Sequence, residues 1–298
     1  MTRADAFAAQ VQALTAKAEL HFYAIVDSAQ DKQLLGAIQK MWKATQTLCL
    51  LPDAQGSEAA KVSPHLVSLP APDNKVGIWQ TLLKAGQSLP ASLTLIASDL
   101  EFGALHAHLS QFTEIVLPDG TGMLFAFWDP AILGTLIGQK DDTTLHVPGP
   151  AFSARQKKKL LRGIASWWYW DRRTERHQII LAAGPDEDGE VKLPLLLGQG
   201  QVDMLVEASV PDHILAYVRE NQPQLLAAIG AIEQYFVVER SLLEARKVGL
   251  QGMQDMVNYA CASLIYGERM HTDTVIINLL GEVKAGRMNM NQAMEKFP

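Results

Sequence analysis

The sequence predicts an α+β protein: an α/β-like N-terminal lobe with a mixed sheet flanked by helices, then a helical C-terminal lobe. Three observations predict it. Short apolar runs rich in β-branched and aromatic residues alternate with helical-period segments through the first 140 residues. An Asp-Gly turn sits between two apolar runs, so part of the sheet is expected to be antiparallel. From Gln201 onward the helical period persists to the end of the chain, as in a bundle. The expected organisation is a lobe over 1–140, a β-rich connecting segment packed with it over 141–200, and a helical lobe over 201–298.

Each element has a local reason. Phe7, Val11, Leu14 and Ala18 recur at helical spacing. HFYAIVDS (21–28) reads as a strand and DKQLLGAIQKMW (31–42) as a helix capped by Asp27. QTLCLL (46–51) and HLVSLP (65–70) are strand-like and end at Pro52 and Pro70. VGIWQTLLKAG (76–86) is helical, with Gly86 as its C-cap. SLTLIAS (92–98) is a strand, and 99–112 a helix with Ser98 or Asp99 at its N-cap. EIVLPDGTGMLFAFW places two strands around Pro118-Asp119-Gly120. Asp129-Pro130 then opens a short helix: the residue before proline is driven out of the helical region, Asp caps well, and Pro suits the first turn. Gly138 stops it.

The segment 141–200 carries the basic run RQKKKLLR (155–162), the strands ASWWYWDRR and RHQIILAAG (165–173 and 176–184), and the polar turn PDEDGE (185–190). Beyond it, Gly198-Gln199-Gly200 reads as a linker. Pro211 suits a helix first turn, and a longer helix over about 223–247 has Leu225, Ile229, Ile232, Phe236 and Leu243 as its apolar stripe. The segments 253–267 and 272–296 complete the helical half.

Composition narrows the function. Of 298 residues, 48% are hydrophobic and 19% charged, which allows a sizeable core and argues against global disorder. The formal net charge of −6 disfavours a dedicated nucleic-acid binder. The two cysteines, Cys49 and Cys261, support neither a disulfide framework nor zinc spacing and read as buried thiols. The N-terminus lacks the apolar core of a signal peptide, and no run approaches the roughly 18 apolar residues that span a bilayer. The expected location is the cytoplasm.

No nucleotide loop, nucleophile elbow or zincin motif is present. His106 and His108 are two apart on a helix and diverge. Asp27 ends a strand, where α/β sheets favour ligands, but no glycine-rich loop follows. An enzyme, a hydrolase or transferase, would place its site around Asp27 and Asp129. The stretch 155–176 interleaves basic and aromatic residues, which single-stranded nucleic acid can use. Trp167 and Tyr169 face one side of a strand, Trp168 and Trp170 the other. Such a strand is buried on both sides, or buried on one with a partner on the other.

Several stretches together are similar to a known family. FYAIVDSAQDKQLL (22–35) resembles its opening strand, with Tyr23 and Asp27. CLLPDAQGSEAAKVSPHLVSLP (49–70) resembles its next block, with Pro64 and Leu66 at the strand start. VLPDGTGMLFAFWDPAIL (116–133) resembles its hairpin and aromatic-Asp-Pro junction, here Trp128, Asp129 and Pro130. GQVDMLVEASVPDHILAYVRENQPQLL (200–226) is similar to the helical region of longer members. The family is that of adaptor chaperones of the bacterial type VI secretion system, catalogued as domain of unknown function 4123. Ala126 and Ala131 stand where the family often has arginine.

The resemblance implies a non-enzymatic, cofactor-free adaptor with no catalytic or metal residue. Its implied partners are a toxic effector and the valine-glycine repeat spike protein VgrG, with no nucleic acid and no membrane. Trp167, Trp168 and Trp170 are the expected partner anchors, because tryptophan is enriched at interface hot spots. Lys157, Lys158 and Lys159 are the expected rim.

Overall fold

The computed structural model describes residues 7, 11, 14, 19–72, 76–180 and 191–298. Phe7, Val11 and Leu14 are helical, with Phe7 and Val11 buried; Ala18 of that expected helix lies outside the described residues. The run HFYAIVD forms strand β1 (His21–Asp27). Asp31 accepts the N–H groups of Gln33 and Leu34, starting helix α1 (Leu34–Met41). Strands β2 (Thr47–Cys49) and β3 (Pro64–Leu69) follow, then helix α2 (Val76–Ser88) and strand β4 (Leu93–Ser98).

Gly86 is not a C-cap. It lies inside α2, and a Cβ there would overlap the Trp170 ring, so the glycine serves close packing and not chain reversal. Helix α3 (Phe102–Ser110) has Glu101 at its N-cap position instead of Ser98 or Asp99. The Ser98 hydroxyl instead accepts the Leu100 N–H at 3.0 Å and donates to the Gly163 carbonyl.

Strands β5 (Glu114–Val116) and β6 (Gly122–Leu124) form the Asp-Gly hairpin. Helix α4 (Pro130–Ile137) ends at Gly138, whose φ of 74° is left-handed. Helix α5 (Ala154–Leu160) opens on a Ser153–Gln156 capping box. Strands β7 (Ile164–Trp170), β8 (Arg176–Ile179) and β9 (Leu195–Leu196) follow. Residues 181–190, including the expected PDEDGE turn, lie outside the described residues.

The larger sheet has the order β2-β3-β1-β4-β7-β8, and every pairing in it is antiparallel. The smaller has the order β6-β5-β9, and β5–β9 is parallel. Strand β9 carries no periodic signal, because two residues are too few to show one.

Period-2 alternation puts one set of side chains on each face of the larger sheet. Tyr23, Ile25, Leu66, Ile96, Trp167 and Tyr169 join one core, with Phe112, Phe127 and Trp128 packed in from outside the sheet. Phe22, Val26, Val67, Leu95, Trp168 and Trp170 join the other, with Phe7, Ile38, Trp79 and Leu82. A sheet covered on both faces needs apolar residues at consecutive positions, and β7 supplies them.

The chain divides into two compact units, Met1–Ala208 and Ser209–Pro298. Helix α6 (Gln199–Asn221) contributes residues to each. Pro211 lies inside this helix and does not start a new one, so the two expected segments are continuous. Gln199 is already helical, so the expected linker is the helix start.

The second unit holds helices α7 (Ala231–Val248), α8 (Met253–Tyr266), α9 (Arg269–Thr272), α10 (Thr274–Lys284) and α11 (Met290–Met294). Gly230 splits the expected helix at 223–247, leaving a 3-10 turn at Pro223–Leu226. The buried face of α7 is Tyr235, Phe236, Val238, Leu242 and Ala245; Ile232 and Leu243 of the expected stripe are 47% and 49% exposed. Asp273 caps α10, and Asn289 with Gln292 boxes α11.

Candidate functional site

Two places in the first unit gather functional side chains. The first is the junction of β1, β3 and α4. The Asp27 Oδ1 accepts the Ala29 N–H at 2.9 Å, and its Oδ2 accepts the Trp128 indole N–H at 3.0 Å. Asp129 Oδ1 accepts the N–H groups of Ala131 at 2.9 Å and Ile132 at 3.3 Å, which makes it the N-cap of α4. Both carboxylates thus hold chain in place. Pro64 and Leu66 are buried in β3, where Asp27 pairs with Pro64 and Ile25 with Leu66. Pro130 is buried at the first position of α4.

At the opposite end of these strands, where β1 begins and β3 ends, lies an open cleft of about 610 Å³. Its lining includes Tyr23, Gln46, Ser68, Glu101 and Phe102. The Tyr23 hydroxyl donates to the Leu100 carbonyl at 2.8 Å. Burial, helped by the Glu101 carboxylate, pushes the Tyr23 phenol up to about 12. Tyr23 is therefore a neutral donor across the physiological range, and Glu101 is the exposed acid at the rim.

The second place is a buried polar cluster on the β7–β8 hairpin. Tyr169 and His177 are directly paired across the two strands, and their rings stack with centroids 5.4 Å apart. Asp171 follows β7 and forms a tight turn. Its Oδ1 accepts the Arg173 and Glu175 N–H groups, each at 2.8 Å, and its Oδ2 meets His177 Nε2 at 3.0 Å. Asp142, in the loop after α4, accepts the Thr144 N–H and hydroxyl on Oδ1 at 2.9 and 2.7 Å and the Tyr169 hydroxyl on Oδ2 at 3.0 Å. Gly134 in α4 gives that hydroxyl room: a Cβ there would sit 2.8 Å from it.

Asp142, Asp171 and His177 are 4%, 5% and 8% exposed, and one donor atom from each lies within 4.8 Å of the others. Burial works to lower the His177 pKa, but the Asp171 hydrogen bond and the charges of Asp142, Asp171 and Glu175 outweigh it, so the net shift is upward. Burial, then the Asp142 charge, drives the Tyr169 phenol far above its ordinary value.

The expected partner anchors need correction. Trp167, Trp168 and Trp170 are 0%, 1% and 1% exposed and belong to the two cores of the sheet, so none is available to a partner. The reason is that both faces of β7 are covered. Lys157, Lys158 and Lys159 lie on α5; Lys158 is exposed, while Lys157 and Lys159 are half-buried and Lys157 reaches the Ile137 carbonyl at 3.4 Å. Sequence reasoning missed the Asp142–Asp171–His177 cluster. Its one sequence signal is the close spacing of Asp171 and His177 around a turn, and Asp142 comes in from a separate loop.

Residues 22–146 match the family model described as Domain of unknown function (DUF4123). The match falls within the first unit of the chain. No curated protein and no solved structure matches the chain. Among the described residues, no helix is long and apolar enough to cross a membrane.

Proposed function

We propose that this protein is a cytoplasmic, non-catalytic adaptor that binds a type VI secretion toxin effector and helps load it onto the VgrG spike. The observation that carries this reading is the DUF4123 match over residues 22–146, the part of the chain whose motifs resemble the adaptor family. The Trp128–Asp27 hydrogen bond adds physical sense to it, because it makes the opening strand and the aromatic-Asp-Pro block one scaffold. The rival site at Asp27 and Asp129 is less attractive because both carboxylates already serve as backbone and indole acceptors.

The cleft beside Tyr23 is the surface we assign to the partner. It is concave and mainly apolar, with the Glu101 carboxylate exposed near Phe102 and Tyr23. An extended segment presenting an apolar and a basic side chain suits it.

The test is purification of the tagged full-length chain from cells expressing the secretion system, with mass spectrometry of what accompanies it. A toxin-sized partner together with the spike protein is the expected result. Recovery of neither would overturn the reading.

A further inference from the structure

We propose that Asp142, Asp171 and His177 bind one divalent transition-metal ion of the zinc class. This does not depend on the adaptor reading. The first argument is the donor set. One imidazole nitrogen and two carboxylate oxygens suit zinc and its neighbours, which take nitrogen and oxygen ligands at about 2.0–2.2 Å. Donor atoms from all three residues lie within 4.8 Å of one another, close enough for a single small ion to draw them onto itself with a small side-chain shift.

The second argument is orientation. In each carboxylate one oxygen is held from outside the cluster: Asp171 Oδ1 by the Arg173 and Glu175 N–H groups, Asp142 Oδ1 by the Thr144 N–H and hydroxyl. Each Oδ2 is left directed inward, toward His177 Nε2 in one case and the Tyr169 hydroxyl in the other. Metal-ligating carboxylates are held by outer hydrogen bonds in just this manner. The third is charge. Two carboxylates, 4% and 5% exposed, are buried side by side with Asp171 on His177, and a divalent ion held by that histidine and both acids would answer the two charges at once.

The ion would take Asp171 Oδ2, Asp142 Oδ2 and His177 Nε2 as ligands, with the Tyr169 oxygen or a water as the fourth. It would tie the loop carrying Asp142 to the β7–β8 hairpin, which is a structural and not a catalytic role.

The test uses the full chain, stripped with a chelator, dialysed against micromolar zinc and analysed by elemental mass spectrometry. One zinc per chain is expected, falling to none in His177→Ala and Asp171→Asn. Thr144→Val keeps all three donors and the backbone N–H, so it reads the site even where the ligand variants do not fold. It should weaken zinc binding by roughly 10–100-fold, as outer-sphere losses do. Cobalt(II) in place of zinc should give the visible absorption of a nitrogen- and oxygen-ligated ion. A wild-type chain that retains no zinc overturns the proposal. Zinc held equally well by the Asp142→Asn/His177→Ala double variant also overturns it, because the ion then binds elsewhere.

Discussion

The Trp128 indole N–H donates to Asp27 Oδ2 at 3.0 Å, joining positions 101 residues apart. Asp27 ends β1, and Trp128 directly precedes the cap of α4. One hydrogen bond therefore fixes where the hairpin chain returns to the sheet. Trp128→Phe keeps most of the packing and removes the donor. It should destabilise the fold by about 1–2 kcal/mol, the worth of a hydrogen bond to a charged group that is only half-buried. Urea denaturation with unchanged m-value measures it. No loss of stability would mean that Asp27 finds water as readily as indole.

Asp129→Ala should cost roughly 0.5–2 kcal/mol, because it strips the cap from the Ala131 and Ile132 N–H groups. Asn, which can still accept, should recover most of that. Partner capture should be unchanged in both variants once stability is matched. Lost capture with full stability would return Asp129 to the list of functional acids.

Truncating Trp167 or Trp168 to Ala should cost about 3–5 kcal/mol each, the usual penalty for emptying a large aromatic site. The two losses report on opposite faces of the sheet, because Trp167 packs with Phe127 while Trp168 packs with Phe7. Denaturant titration of the single variants checks this. A surface tryptophan would show a loss below about 0.5 kcal/mol.

Acid should weaken the fold through His108 and His65. Burial holds both below the ordinary histidine value of 6.5, outweighing their hydrogen bonds to the Leu160 and Ser63 carbonyls. With the folded pKa below the unfolded one, the unfolded chain takes up the proton first. The stability is complete above 6.5 and is lost as pH falls through the folded value. His177 shifts the opposite way, so the whole-protein slope mixes signs. The clean measurement is a difference. Between about pH 7.5 and about pH 5.5, His108→Gln should lose less stability than the wild type, because Gln donates to Leu160 without titrating. Equal losses would remove His108 from the account.

What the sequence made legible follows from distance along the chain. The Asp129-Pro130 helix start is set by adjacent residues, and it reads correctly. So does the two-sided alternation of β7, because a period of two is local. Whether both faces are covered is not local. It depends on Phe127 on one side and Phe7 with Trp79 on the other, and Phe7 lies more than a hundred residues away in the chain. That is why the tryptophans read as anchors and are core. Gly86 reads as a helix end and Pro211 as a helix start, yet both lie inside helices, Gly86 because the Trp170 ring packs against it. The Asp142–Asp171–His177 cluster was invisible because strand register and a returning loop create it.

The cleft supplies the sharpest test of the adaptor reading. Glu101 is exposed at its rim and makes no side-chain cap to α3, so Glu101→Lys should leave the melting temperature unchanged. If the partner brings a basic side chain, reversing this charge replaces attraction by repulsion. Capture should then weaken by roughly 10-fold, about 1.4 kcal/mol, and most at low salt. Glu101→Gln should fall between the two. Titration of the purified partner at two ionic strengths reads both effects. If Glu101→Lys binds as tightly as the wild type at low salt, the partner does not enter by this cleft, and exposed Lys158 on α5 becomes the next position to reverse.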